Sequence, residues 1–148
     1  MIDIANLAFS YGTSEVLKNI SMKLETGRIY GLLGENGVGK TTLLTLLSGL
    51  KKCGRGTIRI DGRDPYRREP SLLSDICYLP DEVAPENDSA AGWAACRGRF
   101  WPNFTLGRFY EIMRVFENDP AKKMNTMSSG QLKKTYISFA LACYMRYL

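Results

Sequence analysis

Residues 34–42 read G-E-N-G-V-G-K-T-T, and Gly34, Gly39, Lys40 and Thr41 fall on the spacing G-x-x-x-x-G-K-[ST]. Glycines so placed free the backbone to curl, so that several N–H groups converge on one anion. A helix beginning at the end of the curl adds the positive end of its dipole at the same place. Lys40 is expected to reach the β- and γ-phosphates of a nucleotide, and the Thr41 hydroxyl to sit on Mg²⁺. Asn36 and Gly37 are expected to contact the nucleotide with them. Thr42 lies next door, outside the pattern, and takes a lesser role. This loop by itself does not choose between kinases, G proteins and ATPases.

A second group precedes the last apolar stretch: Met127-Ser128-Ser129-Gly130-Gln131. Ser128 as N-cap with Gln131 three residues later makes a capping box, worth about 1 kcal/mol. A helix start of this kind, with Gly130 in its first turn, is also a physically sensible place for an anion. Other chemistries are excluded. The chain has no histidine, which removes imidazole acid–base catalysis, Ser-His-Asp sites and His metal ligands. Its 4 cysteines stand far apart with no C-x-x-C pair and read as reduced thiols without a metal site.

The elements that must position these residues follow from pattern. Ile2, Ile4, Leu7 and Phe9 roughly alternate with polar or small residues, and 16–24 forms a second such run. With a turn at Thr13 and Ser14, the two predict an antiparallel opening. The continuous apolar run 29–33 predicts a strand covered on both faces, placed directly before the glycine loop. A Leu-rich helix is expected over 41–50, strands over 57–60 and 76–79, and a loop over 81–92. From Phe100 the pattern turns helical, with Phe109, Ile112, Met113 and Phe116 on one stripe that Asn118-Asp119-Pro120 ends. A last helix is expected from Ser128 to about Arg146.

The chain has 148 residues, 45% hydrophobic and 24% charged. These are values of an ordinary globular domain and do not fit a disordered chain or a disulfide miniprotein. No apolar stretch approaches the roughly 20 residues that cross a bilayer. The N-terminus lacks the pattern of a secretory signal. The net charge of +5 is spread over scattered Lys and Arg pairs, Lys51 and Lys52 among them. They read as solvated faces, and no nucleic-acid partner is expected.

Paired with the glycine loop, 127–131 resembles the signature motif of ABC-type ATPases, usually written L-S-G-G-Q. Ser128, Gly130 and Gln131 match, while Met127 and Ser129 depart from it. Phe9-Ser10-Tyr11-Gly12 resembles the family's A-loop, and Tyr11 matches the ring that stacks on adenine. Residues 27–33 look like the lead-in to the family's P-loop. Tyr78-Leu79-Pro80-Asp81-Glu82 resembles the Q-loop region, with Asp81 where glutamine is usual. A carboxylate there could contact metal or water, and repels phosphate unless the metal lies between. Residues 100–104 and the helix through Phe116 resemble the small helical subdomain, with a finer similarity to ATPases of bacterial drug, bacteriocin-peptide or bacitracin-type exporters.

The resemblance implies an α/β fold: a P-loop NTPase core with a mostly parallel sheet, an N-terminal antiparallel β arm and a helical subdomain. Along the chain it implies a core over 1–89, a helical subdomain over 90–127 and a signature helix over 128–148. It implies ATP and Mg²⁺ as cofactors, with Lys40 as the catalytic cation and Asp81 and Thr41 toward the metal. Two such subunits, identical or different, would sandwich ATP, with Ser128, Gly130 and Gln131 of one facing the γ-phosphate held by the other. Transmembrane transporter subunits would complete the assembly. The chain would lie in the cytoplasm, peripheral on the inner face of the membrane.

In that family the signature helix leads into the Walker B strand, then to a switch histidine. Here the sequence reaches Arg146-Tyr147-Leu148 where that strand would start, so the expectation is a domain cut short. Loss of a positioned base commonly costs about 10²- to 10⁴-fold in rate, and the chain alone is expected not to turn over ATP. The 29–33 strand, taken to pair beside Walker B, is expected to be left with an open apolar edge. The rival readings are a soluble ABC-type ATPase acting on ribosomes or DNA, a non-catalytic nucleotide-binding fragment, and another P-loop enzyme such as a small-molecule kinase.

Overall fold

The computed structural model describes all 148 residues, Met1 to Leu148. The chain divides into two compact units, Met1–Leu73 and Ser74–Leu148.

In the first unit, β1 (Ile2–Tyr11) and β2 (Ser14–Leu24) form the antiparallel opening expected from their alternation. The turn falls at Gly12 and Thr13, one residue earlier than the pattern suggested, because Gly12 takes a left-handed φ of 58°. Asn6 and Asn19 are also left-handed, at φ 49° and 48°, and the β1–β2 register shifts beside them. Asparagine tolerates that conformation, so these positions bulge the hairpin without breaking it. β3 (Arg55–Ile60) pairs antiparallel with the other edge of β1, giving the order β2-β1-β3. α1 (Lys40–Leu47) packs on this sheet. Leu43 and Leu46 close a core with Ile4, Leu7, Leu17 and Ile58. Gly49, at φ 70°, carries the chain out of α1 against Pro65, where a Cβ would collide with the Pro65 backbone. A single turn, α2 (Pro70–Leu73), ends the unit and buries Leu72.

In the second unit, α3 (Ala90–Gly98), α4 (Leu106–Val115) and α5 (Ser129–Ala142) pack around Trp93, Phe109, Met113, Leu132 and Phe139. Phe139 is the hub, with the rings of Trp93, Phe104 and Trp101 at 4.9, 5.1 and 5.5 Å. The α4 stripe is as expected: Phe109 and Met113 are fully buried, with Ile112 and Phe116 at its margins. Thr105 and Ser89 cap α4 and α3 by accepting from Arg108 N–H and Gly92 N–H.

The α/β class stands, but its strand inventory differs from expectation at several places. Segment 29–33 belongs to no ladder. Its apolar composition marks a strand buried on both faces, yet no neighbouring strand flanks it here. Ile29 and Leu33 are therefore 103% and 93% exposed. All ladder pairing is antiparallel, and the expected 76–79 strand reduces to one parallel bridge between Ile76 and Tyr147. Cys77 N–H donates to Tyr147 O at 2.8 Å, and Tyr147 N–H to Asp75 O at 2.9 Å. The last residues thus pair beside Ile76. α5 stops at Ala142 instead of Arg146, because Tyr144 turns left-handed at φ 54°. α3 begins within the stretch read as a loop over 81–92 and runs on through residues to which the pattern assigned no element, inside the expected helical subdomain. Its Ala- and Gly-rich sequence has little apolar periodicity, and Ser89 with the run of alanines is the local signal for it.

Candidate functional site

The glycine loop stands between the 29–33 segment and α1. Gly34, Gly37 and Gly39 take φ of 154°, 85° and 105°, backbone that side chains rarely adopt. Gly39 is the N-cap of α1 and offers no side chain to its first turn. A Cβ there would lie 2.8 Å from both Val16 Cγ1 and Leu17 Cδ2, so the loop's exit is pressed against β2. The first intrahelical bond runs from Leu43 N–H to Gly39 O at 2.9 Å. The amides ahead of it therefore have no helical carbonyl. Lys40 Nζ donates to Gly34 O and Glu35 O, both at 2.7 Å. Its ammonium thus lies across the mouth of the loop, held by the loop's own carbonyls.

This donor set fits an anion: uncapped amides at a helix start and one ammonium. Thr41 presents an exposed hydroxyl beside them. No group of three His, Cys, Asp or Glu side chains gathers anywhere to hold a metal. The residues fit a magnesium ion carried mainly by phosphate oxygens and water, with Thr41 adding one ligand, and not an all-protein cage.

Tyr11, at the end of β1, comes to the same place. Its hydroxyl lies 3.4 Å from Thr42 Oγ1 on α1 and accepts from Lys51 Nζ at 2.7 Å. The Lys51 ammonium is also 4.3 Å from the Tyr11 ring centroid, a cation–π contact, while Phe9 meets that ring edge-on at 5.0 Å. The hydrogen bond from Lys51, helped by Thr42, holds the Tyr11 phenol below its ordinary pKa. Tyr11 remains 47% exposed, so ring surface is open to a planar ligand. Lys51 reads from sequence as part of a solvated pair. It sits 40 residues from Tyr11, and no local pattern joins them. Thr42 is buried, and its hydroxyl faces the aromatic end of the site.

In the second unit, Ser128 and Gln131 make the capping box at the start of α5. Ser128 Oγ accepts from Gln131 N–H at 3.2 Å, and Gln131 Oε1 accepts from Ser128 N–H at 3.1 Å and from Lys122 Nζ at 2.9 Å. Asn118, buried below, donates to Gln131 O at 2.9 Å and to Thr135 Oγ1 at 3.0 Å, tying the turn after α4 to α5. Gly130 is exposed, with open space around its Cα. Asp81 is 98% exposed and pairs with Lys133 at 2.7 Å. The Lys133 ammonium holds its carboxyl below the usual carboxylate range. Tyr11, Gly34, Asn36, Gly37, Gly39, Lys40, Thr41 and Thr42 thus belong to the first unit, and Asp81, Ser128, Gly130 and Gln131 to the second.

The sequence matches the family model described as ABC transporter over residues 17–148. The chain belongs to the ABC transporter family. The ribose import ATP-binding protein RbsA of Bacillus licheniformis is 30% identical over 148 aligned residues, covering 95% of this chain and 27% of that protein. The ABC transporter ATP-binding protein YtrB of Bacillus subtilis is 31% identical over 143 residues, covering 96% of this chain and 49% of that protein. The chain therefore spans between about a quarter and about half the length of these two ABC relatives. Among solved structures, a putative ABC transporter ATP-binding protein from Pyrococcus furiosus aligns at a TM-score of 0.82 with 25% identity, over 95% of this chain and 70% of that one. A bacterial ABC transporter cassette solved as a dimer aligns at 0.78 over 98% of this chain and 71% of that one. At 20% identity it speaks to the fold. No helix of this family member is long and apolar enough to cross a membrane.

Proposed function

We propose that this chain is the nucleotide-binding portion of an ABC transporter ATP-binding subunit, taking ATP with Mg²⁺ on the glycine loop. The observation that carries the reading is the uncapped start of α1 with Lys40 lying across the loop on Gly34 O and Glu35 O. Those carbonyls hold the ammonium where a nucleotide's outer phosphates would enter, and phosphate oxygens compete with them as stronger, charged acceptors. The amides of α1's first turn take the remaining oxygens. Asn36 and Gly37 shape the loop's rim, and Gly39 lets the backbone approach. Bound Mg²⁺ would offset phosphate charge, with Thr41 as this chain's ligand to it. Tyr11 supplies an aromatic face for adenine, and Thr42 anchors its hydroxyl end.

Ser128, Gly130 and Gln131 are assigned to the γ-phosphate of a nucleotide on a second ATPase subunit, the role the family resemblance implies. Gln131 acts there chiefly through the α5 cap, since Ser128 and Lys122 occupy its side-chain oxygen. Asp81 is assigned to the metal or water of the same reaction, with Lys133 as its ion-pair partner at 2.7 Å. Transmembrane partner subunits would receive the work of hydrolysis and hold the chain at the inner membrane face. The chain has no histidine to serve as an imidazole base, and by itself it is expected to bind nucleotide without measurable turnover.

The test is a thermal-shift titration with MgATP, followed by phosphate-release assay. Saturating nucleotide at about 100 times Kd adds about 2.7 kcal/mol to the folded state, so an upward shift is expected. Lys40→Ala abolishes it, and phosphate release stays at background. A folded chain that shows no shift, or a shift that survives Lys40→Ala, overturns the assignment.

A further inference from the structure

We propose that Lys51 is a positioning residue of the nucleotide site: it holds the Tyr11 ring in place for the base and acts at that end of the ligand alone. The inference rests on the nucleotide reading of the glycine loop, and it adds a residue that none of the motifs contains. Three observations carry it. Lys51 Nζ donates to the Tyr11 hydroxyl at 2.7 Å and lies 4.3 Å from the centre of that ring. The lysine backbone is itself fixed at the end of α1, where Lys51 N–H donates to Thr45 O at 3.2 Å and Leu50 N–H to the same carbonyl at 3.0 Å. The ring that Lys51 touches keeps open surface, and its hydroxyl also meets Thr42 of α1.

Order, more than attraction, makes this contact useful. Tyr11 is the last residue of β1, and its ring is open to solvent on part of its surface. A ring that turned freely there would have to be ordered when a base stacked on it, and each side chain immobilised on binding weakens association. Phe9 steadies the ring from one side, meeting it edge-on at 5.0 Å. Lys51 fixes the hydroxyl end. Because the phenol oxygen accepts from the ammonium, its own proton is left for Thr42 Oγ1 at 3.4 Å. The run Lys51–Tyr11–Thr42 therefore joins the tip of the ring to α1, the helix that starts at the glycine loop. The ring is ordered before any ligand arrives, and a base that stacks on it binds without that loss. A lysine whose ammonium only faced water would do none of this.

Calorimetric titration with MgATP and, separately, with magnesium tripolyphosphate tests it, at about 0.15 M salt, where charge effects fade beyond about 8 Å. Far-UV circular dichroism confirms that each variant folds. Lys51→Met is expected to weaken MgATP binding about fivefold and to leave tripolyphosphate binding unchanged, since that ligand has no base to stack. Tyr11→Leu weakens MgATP by itself, and adding Lys51→Met to it is expected to change nothing further, because the lysine acts through the ring. MgATP binding that Lys51→Met leaves intact, equal weakening of both ligands, or a fivefold effect that survives in the Tyr11→Leu background would each overturn the role of Lys51 while the nucleotide reading stands. A folded wild type that takes no MgATP would overturn the nucleotide reading, and this role with it.

Discussion

Gly39→Ala probes the loop where its geometry is most constrained. At φ 105° an L-residue sits in left-handed territory, at a cost of roughly 1–2 kcal/mol. The new methyl would also lie 2.8 Å from Val16 Cγ1 and Leu17 Cδ2 and 3.3 Å from Val16 O. The carbonyl cannot rotate away, so β2 or the loop must shift, and overpacking of that kind costs about 1–3 kcal/mol. The expected loss is therefore about 2–5 kcal/mol, a large share of a typical domain's roughly 5–15 kcal/mol. The readout must be local. Trp93 and Trp101, the only tryptophans, lie in the second unit, so their fluorescence would miss the change. Amide hydrogen exchange reports each segment separately. Faster exchange in Ser14–Leu24 and α1, with Ser129–Ala142 unchanged, is the expected pattern, together with loss of the MgATP thermal shift. Unaltered exchange in β2 with the shift intact would show that Gly39 does not sit against Val16 in the left-handed form, and the loop geometry argued above would fall.

Two further outcomes follow from contacts and burial. Lys51→Met removes both the hydrogen bond and the ammonium at the Tyr11 ring, so the Tyr11 phenol should titrate closer to the ordinary tyrosine value, followed by NMR of ring-labelled tyrosine with Tyr11→Phe for assignment. An unmoved titration would mean that Lys51 does not hold the phenol in solution. Burial pushes the Cys143 thiol up to about 12, with a smaller contribution from Cys77. A thiol raised above its unfolded value contributes stability that is complete below the unfolded pKa, about 8.5, and is lost as pH climbs toward the folded one. Chemical denaturation of the wild type should therefore fall more steeply between about pH 9 and 12 than that of Cys143→Ala; parallel slopes would place the thiol in water.

How much could be read in advance depends on how far apart the interacting residues are. The phosphate-loop reading needs only Gly34 to Thr41. The α5 cap needs Ser128 and Gln131, and the α4 stripe needs Phe109, Met113 and their neighbours within two turns. Each is a property of a short window, because helix bonds, caps and glycine turns close over a few residues. The hairpin was legible for the same reason, apart from the one-residue displacement of its turn and the bulges at Asn6 and Asn19.

The rest turned on partners far away in the chain. Lys51 finds Tyr11 across 40 residues and Lys133 finds Asp81 across 52, and neither pair leaves a mark in any window. The 29–33 segment has the composition of a buried strand, yet composition states a preference for burial without naming who supplies it. Strand pairing is a contract between distant segments, and here β1 takes both β2 and β3 while 29–33 takes neither. Residue types thus pointed to an anion-binding loop and to where α1 and α5 begin. The folded chain settled which side chains reach that loop, because ladders and ion pairs form only once distant backbone has been brought side by side.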